Sequence, residues 1–167
     1  MDETTKPVRK RRWAKVMLIT LGVFILVLVG AGQLSARLYQ GPQTLDALMT
    51  AMPGVPLFPF AGLTANNRAQ QHAMGIPLWL LRRQGASHAE TAFLQVPSDP
   101  AFIREWHEGE LKKAGWTLAG NEQGRLVFVK DRAILQVIIG PQRDLLTAYQ
   151  LVYLDGLSKR QLDDITN

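Results

Sequence analysis

The stretch 97-PSDPAFIREWHEGELKKAGWTLAGNEQGRLVFVK-130 decides the fold class. Ser98-Asp99-Pro100 sets a capping side chain beside a proline at the first helical position, and Gly115 ends the helix that starts there. Residues 116–119 and 125–130 are two strands joined by a turn over 121–124. Working outward, ETAFLQV (90–96) is a strand before the helix, and AILQVII (133–139) and LTAYQLVYL (146–154) are strands after it. The order strand, helix, four strands predicts an α+β domain: an antiparallel sheet with a helix on one face, in two layers. Both faces of the strands are apolar, with Leu126 and Phe128 on one and Val127 and Val129 on the other. One helix cannot cover both, so residues 55–83 or another protein must cover the second.

The helix holds His107-Glu108, half of a zinc-protease signature. That signature needs a second imidazole one turn later, and Leu111 stands there. On a helical projection His107 falls inside the apolar arc of Phe102, Ile103, Trp106, Leu111 and Ala114, which reads as a buried core position. Glu110 is close enough in sequence to pair with it. Glu105, Glu108 and Lys112 form the opposite, solvated face, with Glu108 and Lys112 spaced as a supportive i,i+4 pair. His72 and His88 have no ligand spacing to His107 or to each other. No nucleophile elbow, phosphate-binding loop or haem-attachment motif is present, and cysteine is absent. These absences predict no catalytic residue, no cofactor and no metal site. A hydrolase built on Glu105, Glu108 or Glu110 with His107 is the least favoured reading.

The formal charge is +5 over 167 residues. Lys6, Arg9, Lys10, Arg11, Arg12 and Lys15 against Asp2 and Glu3 leave the first fifteen residues at +4, so the basicity is a tail and not a nucleic-acid-binding surface. Residues 16–34 (VMLITLGVFILVLVGAGQL) carry no charge, and a helix of this length covers roughly 28 Å, close to the ~30 Å hydrocarbon core. The segment predicts one transmembrane helix over 16–36. Val29-Gly30-Ala31 and Leu34-Ser35-Ala36 loosely fit a signal-peptidase site, but the apolar run is longer than a usual signal core, which favours an uncleaved anchor. Arg9, Lys10, Arg11, Arg12 and Lys15 before the span, against Arg37 after it, place the N-terminus in the cytoplasm and the rest outside. Trp13 and Tyr39 bracket the span as interfacial aromatics. Ala31 with Ser35 and Gly32 with Ala36 form small-xxx-small pairs that would admit another membrane helix.

The expected organisation is a basic tail (1–15), the span (16–36), a proline-rich connector with an apolar segment (37–84), the α+β domain (85–157) and a C-terminal tail (158–167). Within the connector 44–52 and 66–74 are short helical candidates, and IPLWLL (76–81) reads as a strand or a helical turn. VPLFPF (55–60) is too apolar for a solvated linker, so it lies against the domain or a partner, and Trp79 among leucines reads most simply as core, with an exposed partner patch as the alternative. Val55, Leu57, Phe58, Phe60 and Trp79 are thus the candidates for a partner interface.

VPLFP (55–59), the helix ending in Ala114-Gly115-Trp116 and GRLVFVK (124–130) resemble small bacterial membrane-anchored extracytoplasmic α+β domains. The resemblance spans roughly residues 55–154, and its motifs are structural. It implies a bacterial extracytoplasmic domain and carries no catalytic residue or ligand.

These readings predict a non-enzymatic, single-span accessory subunit of a larger bacterial membrane complex. Its partners would be other membrane subunits and the bilayer, with no nucleic acid or small-molecule substrate. Respiratory and photosynthetic complexes offer the analogy. The alternative is a membrane-tethered ligand- or peptide-binding or sensory domain, with a pocket between the sheet and residues 55–83.

Overall fold

The computed structural model describes residues 29–122 and 124–166. The basic tail, most of the expected span, Trp13 and the orienting cations Arg9, Lys10, Arg11, Arg12 and Lys15 lie outside the described residues. Among those described, no helix is long and apolar enough to cross a membrane. The chain begins with helix α1 at 29–38, which continues the apolar run and ends at Tyr39.

After α1 come α2 (Leu45–Ala51), β1 (Gly62–Leu63), α3 (Asn67–Ala73), α4 (Gly75–Arg83), β2 (His88–Val96) and α5 (Pro100–Lys113). The sheet is completed by β3 (Thr117–Glu122), β4 (Arg125–Lys130), β5 (Ala133–Arg143) and β6 (Leu146–Asp155), and α6 (Lys159–Thr166) follows. The six strands form one antiparallel sheet in the order β1-β2-β6-β5-β4-β3. The fold is α+β, as the strand-helix-strand pattern predicts.

Helix α5 forms where its caps place it. Asp99 accepts a hydrogen bond from the Ala101 amide at 2.7 Å, and Pro100 occupies the first turn. At the other end the Trp116 amide donates to Leu111 O and the Gly115 amide to Lys112 O, with Gly115 at φ 85. That is a Schellman ending, which needs the left-handed backbone that glycine adopts at no steric cost. Ile103, His107 and Leu111, one turn apart, are buried against the sheet.

The alternation of side chains along the strands sorts the core into two clusters. On one face Leu126, Phe128, Leu135, Leu151 and Tyr153 pack with Ile103, Leu111 and Trp116 from the α5 region. Leu48, Met52, Val55, Phe58 and Ala61 join the same cluster. On the other face Val127, Ile134 and Leu154 pack with Tyr39, Leu78, Ala86 and Leu157. Helical layers therefore cover both faces, three layers in place of the two expected. Of residues 55–83, expected to cover the second face, Met74, Leu78 and Leu81 do so, whereas 55–61 lie beside α5 on the first.

Two further stretches differ from expectation. The supposed connector is largely folded into the domain. Thr44 caps α2 by accepting from the Ala47 amide, and IPLWLL is helical because Pro77 falls in the first turn, where its missing N–H costs nothing. The supposed tail forms α6. The Ser158 amide donates to Gln161 Oε1 at 2.8 Å while the Gln161 amide faces Ser158 Oγ at 3.4 Å, a reciprocal capping box, and Leu162 packs on the second cluster.

Candidate functional site

Strand β1 is only two residues long, so most of the outer edge of β2 has no strand beside it. Its backbone groups are satisfied instead by side chains. The Thr91 amide donates to Tyr39 Oη at 2.8 Å and the Phe93 amide to Asn67 Oδ1 at 3.1 Å. Gln71 Nε2 donates to Thr91 O at 3.0 Å, and an Arg82 guanidinium nitrogen donates to Ala89 O at 2.8 Å. Phe93 O takes a main-chain donor, the Thr64 amide, where the chain leaves the short β1 ladder at Leu94 and Gln95. Asn67 and Gln71 also donate to Pro42 O, which ties the segment after α1 to the same edge. An edge sealed this way cannot pair with another chain.

Tyr39 is the centre of this seal. Its hydroxyl donates to Glu90 Oε2 at 2.6 Å, and Arg82 stands 3.2 Å from Glu90 Oε1 and over the Tyr39 ring at 5.9 Å. Burial first, and the bond to Glu90 second, push the Tyr39 phenol well above its ordinary range, so it stays a neutral donor. Tyr39 is accordingly a core residue, not the exposed interfacial aromatic that its place after the span suggested.

Of the four small residues expected to meet another membrane helix, Ser35 is buried against this chain's own α3–α4 junction. Its hydroxyl donates to His72 O and accepts from the Ile76 amide at 3.1 Å. Gly75 makes the approach possible, since a Cβ there would sit 2.0 Å from Ser35 O. Ala31 and Ala36 are half-buried, and Gly32 is exposed with open space around it.

The interface candidates separate in the same manner. Val55 and Phe58 are in the core, Leu57 packs on its margin, and Trp79 is exposed on α4. Phe60 is 94% exposed. The strand register collects further apolar surface at the same end of the sheet. Gly62 pairs with Gln95 and Val96 with Thr147, which places Phe60, the first turn of α5 and the β5–β6 hairpin together. Phe102 and Leu146 are exposed there, and Leu145 at the hairpin tip is 80% exposed. Phe60 and Leu145 have φ of 61 and 66, the left-handed region that non-glycine residues enter at a cost of roughly 1–2 kcal/mol.

His107 is fully buried, with its ring edge-on to Trp106 at 4.9 Å and Tyr149 at 5.4 Å, and neither ring nitrogen has a hydrogen-bond partner. Burial lowers its pKa to about 4, so it is neutral. Glu110 pairs with Lys113 at 2.7 Å and not with His107. Glu108 and Lys112 make no ion pair with each other. They line an open cleft of about 380 Å³ with Trp116, Thr117, Leu118 and Phe128. Among the described residues no three His, Asp or Glu side chains cluster as metal ligands would.

Comparison with protein-family models, with curated proteins and with solved structures found no match. The sealed edge was not foreseen from sequence. Its members are 7 to 52 residues apart from the backbone groups they satisfy, and no periodicity links them.

Proposed function

We propose that the chain is a non-enzymatic, single-span accessory subunit of a larger bacterial membrane complex, with its N-terminus cytoplasmic and its α+β domain outside. The observation that carries this reading is the apolar end of the sheet. Its two most exposed large side chains, Phe60 and Leu145, both stand on left-handed backbone. A fold that accepts strain in order to display apolar surface gains from that surface only when a partner covers it. The uncharged 16–34 segment and the cationic residues before it support the anchor and its orientation.

The test is affinity purification of tagged full-length protein in mild detergent, with Phe60→Gly and Leu145→Gly beside the parent chain. Glycine relieves the left-handed strain, so both variants should melt within about 1 kcal/mol of the parent in stability. The parent should co-purify a reproducible large assembly, and the double variant should lose it. A monodisperse parent, or an assembly indifferent to both substitutions, overturns the proposal.

The cleft beside α5 favours a second reading, a tethered domain that binds a small ligand or peptide. Its volume falls in the range of ligand sites, and Trp116, Leu118 and Phe128 give it an apolar wall. It opens at the α5–β3 corner and not between the sheet and residues 55–83.

A further inference from the structure

Helix α4 (GIPLWLLRR, 75–83) is apolar on two opposite sides. Leu78 is fully buried in the second core cluster. On the side away from Leu78, helical spacing brings together Ile76, Trp79, Leu80 and Arg83, with Trp79 37% and Leu80 46% exposed. The Arg83 guanidinium stands over the Trp79 ring at 5.2 Å, so the cation and the aromatic face outward as a unit. A soluble domain gains nothing from a tryptophan and a leucine displayed in this way.

The position of α4 says what covers it. The uncharged run of 16–36 ends one residue after Ser35, and Ser35 is fixed to the first turn of α4 through the Ile76 amide and the close approach at Gly75. If 16–34 crosses the bilayer, as the proposed function holds, the start of α4 is pinned where the chain leaves the hydrocarbon. Tryptophan with an arginine beside it is the residue pair suited to that depth. The indole sits among the headgroups, and the guanidinium reaches anionic phosphates.

We infer that α4 is a membrane-surface helix, with Trp79 and Leu80 seated at the boundary of headgroups and acyl chains and Arg83 on lipid phosphate. The inference rests on the single-span reading. The domain is then held flat against the bilayer by two attachments, the span and α4, and does not swing on a tether.

The absence of cysteine permits a direct test. Single-cysteine variants Leu26→Cys, Leu80→Cys, Arg83→Cys and Leu118→Cys of the full chain are labelled with an environment-sensitive dye. They are reconstituted in phosphatidylethanolamine–phosphatidylglycerol vesicles and quenched by iodide or by nitroxide-bearing lipid. Position 26 reports the span, 80 and 83 report α4, and 118 is an exposed reference remote from α4 in the sheet order. The expected result is lipid quenching with loss of iodide quenching at 26 and 80, lipid quenching from the headgroup nitroxide at 83, and full iodide quenching at 118. Iodide access at 80 and 83 equal to that at 118, with 26 still shielded, overturns the inference and leaves the span standing. Iodide access at 26 overturns the span itself. Position 80 shielded from iodide yet untouched by nitroxide lipid means that a second copy covers α4, which also overturns the inference.

Discussion

Replacing His107 with leucine should stabilise the protein, and more so in acid. The wild-type ring is buried with two unpartnered nitrogens, and its pKa falls from 6.5 to about 4 because burial penalises the charged form. A group whose folded pKa is depressed in this way binds fewer protons folded than unfolded between those values. Stability is therefore full above pH 6.5 and lost as pH falls toward 4. At pH 5 the unfolded histidine is almost wholly protonated and the folded one only about a tenth, which costs about 2 kcal/mol relative to pH 8. Leucine removes both the titration and the buried unpaired polar atoms, whose desolvation costs about 1–3 kcal/mol. The expected gain for His107→Leu is about 1 kcal/mol at pH 8 and about 3 kcal/mol at pH 5. Urea unfolding of the full chain in mild detergent, followed by tryptophan emission, measures it, since Trp106 lies against the ring. A variant that keeps the wild-type pH slope, or loses about 2 kcal/mol or more at pH 8, refutes the account of His107 as an unpaired neutral core residue.

Tyr39→Phe leaves the Thr91 amide without its acceptor and Glu90 without its shortest donor. Amide exchange at Thr91 should speed up by about 10- to 100-fold, read by hydrogen–deuterium exchange, and unchanged exchange would sink the sealed-edge argument. Gly75→Ala forces a methyl to 2.0 Å from Ser35 O, so α1 must leave α4. Exchange at the Ile76 amide should rise, and a silent substitution would mean that the two helices do not touch. Asp99→Ala removes the α5 cap and should cost about 1 kcal/mol in the same urea assay, with no change in the pH slope.

Much of the fold is readable where local chemistry and burial agree. Asp99, Pro100 and Gly115 fix α5 to within a residue, and RLVFVK matches β4 at both ends because its neighbours on each side are turns. The capping box of Ser158 and Gln161 was present in the sequence but lay in a polar segment that lacks an obvious apolar stripe, so α6 read as a tail. The two-residue β1 is too short to carry any pattern. The apolar character of 55–60 pointed to a packed segment but not to what it packs against, and prolines 53, 56 and 59 hold an extended path that lays Val55 and Phe58 in the core. The polar seal could not be read at all, since Tyr39, Asn67, Gln71 and Arg82 have meaning only once β2 lies beside them.

The side-chain seal also orders events in time. Synthesis runs from the N-terminus, so Tyr39, Asn67, Gln71 and Arg82 are made before β2, whereas β6, the strand that closes the other side of β2, is the last of the sheet. When β2 emerges its caps are already waiting, and β2 shows one open edge in place of two until residues 146–155 arrive. If the chain is threaded outward from a membrane anchor, as proposed, β2 is thereby shielded on that side from neighbouring chains during the interval when pairing between molecules is easiest.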